Sequence, residues 1–160
     1  ARVLMHENKD PDYTPAGIYA FGTQHIDLPP NQQTALQNDC TLDKEVHIFA
    51  AMPHMHVRGK SIEIRAFYPD GRSETLLNVP NYSFAWQTFY YFKQPLAIPK
   101  GTRLIVTGYF DNSPKNKYNP DPTRAVRFGE PTYDEMMGSF IDYTIEDQPL
   151  KPVALGKGQS

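Results

Sequence analysis

HIFAAMPHMHVRG, residues 47–59, holds three of the chain's five histidines together with two methionines and a glycine. In an extended strand residues i and i+2 face the same way, with Cα atoms about 7 Å apart. His54 and His56 therefore project side by side, and two imidazoles so placed can share one metal ion. His47 stands seven residues before His54, an odd number, and faces the other way unless the strand is bulged. Pro53 cannot donate a ladder hydrogen bond, which fits a bulge or an edge position there. The stretch is read as a strand with a paired-histidine face, and His47 is left outside the ligand set.

Working outward, period-two runs rich in β-branched and aromatic residues recur at GIYAFGTQH (17–25), EVHIFAAM (45–52), SIEIRAFY (61–68), WQTFYYF (86–92) and TRLIVTGYF (102–110). The breaks carry turn chemistry. YPDGRSE is a hairpin loop, IPKGT sets a Pro-x-Gly turn before a strand, and NSPKNKYNPDP is a polar loop. A last strand is expected in MMGSFIDYTIE (136–146), although TYDEMMGSF could open with a helical turn, since Asp134 and Glu135 suit a helix N-terminus. No long helical period and no internal repeat is visible. The pattern predicts an all-β, antiparallel sandwich or barrel over residues 17–146, between an N-terminal linker (1–16) and a C-terminal tail (147–160), both polar and rich in proline and glycine.

At 160 residues the chain is the size of one domain. Its formal net charge of -2 gives no basic field for nucleic acid, and no apolar run is long enough for a membrane helix. Cys40, the single cysteine, excludes an internal disulfide framework.

The bland reading of His-x-His is a pair of strand histidines without a ligand, and that of the methionines is core filling. Local composition argues for more. Met52 and Met55 bring thioethers close, and Met136 and Met137 add a second pair far along the chain. Thioether with imidazole selects copper, particularly Cu(I). Zinc needs a further ligand, and no third histidine or second cysteine is well placed. A cupin motif would need a glutamate three or four residues after His-x-His, where Gly59 and Lys60 stand. No G-x-S-x-G, H-E-x-x-H or phosphate-cradling glycine loop occurs.

The pattern H-x-F-x-x-x-x-H-x-H-x-x-G, met by His47, Phe49, His54, His56 and Gly59, resembles a signature of the copper type II, ascorbate-dependent monooxygenases, the family of the peptidylglycine α-hydroxylating and dopamine β-monooxygenases. About eighty residues on, Asp134, Glu135 and Met136 in TYDEMMGSFIDY resemble the family's D-E-M-C segment. NVPNYSFAWQ and YFDNSPKNKYNPDPTRAVRFGEPT are similar to bacterial members. The resemblance implies a jelly-roll β-sandwich, the second of two copper domains. His54 and His56 would be the nitrogen ligands and Met136 the sulfur ligand of one copper ion that binds dioxygen beside a substrate, with His47 in a supporting position behind them.

The departures qualify the implied activity. Met137 replaces the cysteine that follows the methionine ligand, and Met55 the threonine between the histidines. Met52 and Phe140 replace an arginine and a tyrosine that help hold the peptide, so glycine-extended peptides are not expected as substrates. His6 and His25 are too few and too scattered for a second copper site. The resemblance therefore implies hydroxylation of an unknown small organic substrate only with a partner, an N-terminal copper domain or another electron donor, and not by this chain alone. A non-catalytic copper-binding or structural module in an electron-transfer assembly, with a c-type cytochrome partner, is the alternative. Copper enzymes of this family work outside the cytoplasm, which implies a periplasmic or extracellular location.

Overall fold

A computed structural model describes residues 16–145, and the expected linker at 1–16 and tail at 147–160 lie outside them except for Ala16. Among the described residues ten strands run in chain order: β1 (Ala16–Thr23), β2 (Asp27–Leu28), β3 (Gln33–Thr41), β4 (Val46–Met55), β5 (Gly59–Phe67), β6 (Ser73–Val79), β7 (Tyr90–Ile98), β8 (Arg103–Asp111), β9 (Val126–Arg127) and β10 (Met137–Thr144). They form two four-stranded sheets, ordered β1-β10-β4-β7 and β3-β8-β5-β6, and a small β2-β9 pair. Every paired strand is antiparallel. Counting only the eight long strands, one sheet takes the first, eighth, third and sixth, and the other the second, seventh, fourth and fifth. That order is the jelly roll. Among the described residues no helix is long and apolar enough to cross a membrane.

Alternation explains the core. Ile62, Ile64 and Ala66 of β5 and Leu104 and Val106 of β8 point inward and are almost fully buried, facing Ile48, Met55 and Ile141 of the opposite sheet. The hairpin expected between 68 and 74 is present. Gly71 takes φ 88°, which glycine adopts without steric cost, and its amide donates to the Tyr68 carbonyl at 3.0 Å.

Several boundaries differ from expectation. The run at 86–92 forms a strand only from Tyr90, which continues to Ile98; Trp86 instead closes a turn by donating its amide to the Ser83 carbonyl at 3.0 Å. β3 and β6, which periodicity left unmarked, are the edge strands of their sheet, and their exposed, polar alternation hides them. The segment before β10 makes a turn, not a helix, with the Asp134 amide on the Pro131 carbonyl at 2.9 Å.

β4 carries the decisive stretch. Its register against both neighbours shifts between Ile48 and Ala50, so Phe49 is an extra residue and the alternation changes phase there. Upstream Val46 and Ile48 are buried; downstream Ala51, Pro53 and Met55 are. Pairing with β7 ends at Ala51, leaving Pro53 where β4 is an edge on that side, a position that tolerates proline.

Candidate metal centre

The register between β10 and β4 sets Met137 opposite Met55 and Gly138 opposite His54. Met55 and Met137 are both core residues, 0% and 3% exposed. Alternation then gives His54 the outer side; His56, just past the end of β4, is buried with its ring against that of His54, and Met136 comes one residue before β10. The methionines therefore divide: Met55 and Met137 fill the core, whereas Met52 shares the outer face with His54 and Met136 is half-buried just ahead of β10. Burial against Met55 also accounts for Gly59, because a Cβ there would lie 2.8 Å from the Met55 Cβ.

The two imidazoles lie 5.2 Å apart between centroids and are nearly perpendicular. His54 Nδ1 is 2.6 Å from Gln87 Oε1, and Gln87 Nε2 donates to the Phe84 carbonyl at 3.1 Å, which fixes the amide with its oxygen toward the ring. His56 Nδ1 is 3.1 Å from the Asp134 carbonyl. Both partners can only accept, so each Nδ1 carries a proton and Nε2 is the nitrogen left to face a metal. Burial lowers the pKa of His56, against the opposing pull of the Asp134 carbonyl, and favours the neutral ring. Phe84 packs edge-on against His56 at 5.7 Å and Phe140 against His54 at 6.5 Å.

A buried frame holds this end of β4. Glu135 is fully buried and accepts the amides of His56 at 2.8 Å and Arg58 at 2.7 Å. The Arg58 guanidinium, also buried, donates to Asn112 Oδ1 and to the Tyr133 carbonyl, both at 2.9 Å. Tyr82 clamps Met55, accepting its amide at 2.9 Å and donating its hydroxyl to the carbonyl at 2.6 Å. The segment that brings Met136 is thus tied to the segment that carries His56. Sequence reasoning could not identify Gln87, Asp134, Glu135 or Tyr82 in these roles, because each meets the histidine stretch across 27 or more residues of chain.

His47 is not brought to this pair. The bulge returns it to the same sheet face, but it pairs with Thr144 and Ala97, about 20 Å of strand away from His54, with a Glu45 oxygen at 3.6 Å. A cavity of about 510 Å³ lies at that far end, lined by Tyr19, Cys40, Ile48, Leu104, Ile141 and Tyr143 among others. Among the described residues no three His, Cys, Asp or Glu side chains form a metal-binding group.

The chain is 28% identical over 99 residues to DBH-like monooxygenase protein 1 of Mus musculus and 26% identical over 98 residues to its Gallus gallus counterpart, in each case over 61% of this chain. It spans only 15% of the length of these relatives. Among solved structures, the infectious bursal disease virus Gt strain matches at 9% identity and a TM-score of 0.33, over 88% of this chain and 36% of that one. A Yersinia pseudotuberculosis-derived mitogen matches at 9% identity and 0.30, over 86% and 91%. The profile of the family described as copper type II ascorbate-dependent monooxygenase, C-terminal domain, matches residues 14–153, and the chain belongs to that copper-dependent family.

Proposed function

We propose that this chain is a mononuclear copper domain in which His54 and His56, through Nε2, and Met136, through its thioether, hold one ion. The observation that carries the reading is that both Nδ1 atoms face acceptors, which leaves the two Nε2 nitrogens free to ligate on rings 5.2 Å apart, with Met136 directly before the Met137 that pairs with Met55. The donor set suits the group: imidazole with thioether favours copper, and the neutral state of His56 means little proton competition near neutral pH. When bound, such a copper supplies one-electron redox chemistry toward dioxygen.

The protein's part is to bind, orient and shield. Gln87 and the Asp134 carbonyl set the ring planes, Glu135 and Tyr82 hold the strand end that carries them, and Phe84 and Phe140 limit water at their edges. The domain serves hydroxylation of a small organic substrate, completed by a second copper domain or another electron donor such as a c-type cytochrome, in the periplasm or outside the cell. An anaerobic Cu(I) titration of wild type against His54→Ala tests the site. One equivalent bound tightly by wild type and lost in the variant is expected; no stoichiometric copper would contradict the assignment and favour a structural module.

A further inference from the structure

We propose that the strip of sheet beside His54 is a platform for a small, uncharged aromatic or aliphatic substrate; this rests on the copper reading above and specifies what that site accepts. Two residues along from the His54 row, Ala20, Phe140 and Met52 stand side by side on β1, β10 and β4. They share the outer face with His54, and Phe140 already touches its ring. On the flank, Gln87 binds His54 and is preceded by Trp86, 73% exposed, while Tyr91 of β7, 72% exposed, stands opposite Ala50 and beside Phe89.

The charges near the histidines are already engaged. Glu135 is spent on two amides, Arg58 on Asn112 and the Tyr133 carbonyl, and the Asp134 carboxylate on Arg124. Along β10 from Gly138, the first charged side chain on this face is Asp142, four residues on and opposite Ala50. A carboxylate laid against the strip would lose water without gaining a partner, and an ammonium would find one only by reaching past the Phe140 row to Asp142, whose Oδ1 is buried without a hydrogen bond, whereas an apolar ring exchanges only surface that both sides gain by burying. Exposed apolar surface is a usual mark of a binding surface.

Trp86 is the only tryptophan, so its fluorescence reports on this flank without any metal. The metal-free protein is titrated with phenethyl alcohol, phenethylamine and phenylacetate, one ring with a neutral, a cationic and an anionic end. The neutral compound is expected to give a saturable change with an affinity at least about tenfold above both charged ones. Met52→Glu should weaken it at least about tenfold and Phe140→Thr should weaken it without adding charge, whereas Tyr109→Ser, in the other sheet, should not. Preference for the amine, which would point to Asp142, preference for the carboxylate, no saturable change, or indifference to Met52→Glu and Phe140→Thr would each overturn the proposal. Because no copper is needed, loss of the metal reading with phenethyl alcohol binding intact leaves the platform standing, and copper binding without a fluorescence response removes the platform alone.

Discussion

The carboxylate of Glu135 accepts the backbone amide of His56 at 2.8 Å from 79 residues away, with neither group exposed to more than a trace of solvent. One side chain thereby joins the end of β4 to the turn that leads into β10. The same carboxylate takes the Arg58 amide, so removing it leaves two buried donors without an acceptor. Glu135→Ala is expected to destabilise the fold by about 2–4 kcal/mol, measured by urea unfolding of the metal-free protein. A loss below about 0.5 kcal/mol would show that the amides find other partners.

Burial pushes the Glu135 carboxyl up to about 7, from the 4.5 it has when exposed. Between those values the unfolded chain has released a proton that the native state retains, so stability falls as pH rises through the window and levels off above it. The full effect is on the order of 3 kcal/mol. His56 acts oppositely: its lowered pKa costs stability as pH drops below about 6.5. It is present in both proteins, so subtracting the Glu135→Gln curve from the wild-type curve cancels it. Wild type should lose stability relative to Glu135→Gln from pH 5 to pH 8 in thermal melts of metal-free protein, and parallel curves would contradict the buried-acid account.

Gly59 opens β5 with the space for its Cβ already taken by Met55, whose Cβ and Cε would both lie 2.8 Å away. Gly59→Ala should cost about 1–3 kcal/mol by overpacking, read from the urea midpoint, while Lys60→Ala on the half-exposed neighbouring position costs less. The glycine of the histidine pattern thus has a packing reason.

Gln87 is exposed and meets His54 by a single hydrogen bond, so its removal tests orientation apart from stability. Gln87→Leu should leave the melting temperature nearly unchanged and weaken Cu(I) binding about 10- to 100-fold in competition with a chromophoric chelator. Unchanged affinity would mean that the ring is held by other contacts.

Much of this was legible in the sequence, and the reasons are local. The period-two runs of β5 and β8 marked their strands because both pack one face on the core, and Gly71 marked its hairpin by the backbone it needs. The His54–His56 pair followed from strand alternation alone. β3 and β6 escaped because edge strands are exposed and polar, with no residue fully buried in either, and the bulge at Phe49 left no mark that periodicity could detect. That bulge matters for His47, whose parity with His54 it reverses while leaving it far along the strand. The partners that orient the rings are set by tertiary contacts, so Gln87 and the Asp134 carbonyl had no sequence signal beyond proximity to a strand end and to the D-E-M segment.

The central claim is that a thioether from Met136 completes the histidine pair. X-ray absorption of the Cu(I)-loaded protein, wild type against Met136→Ile, tests it most directly. The account predicts a sulfur scatterer in wild type that is absent from Met136→Ile, with the nitrogen shell retained in both. A sulfur shell that persists in Met136→Ile, or none in wild type, would contradict it.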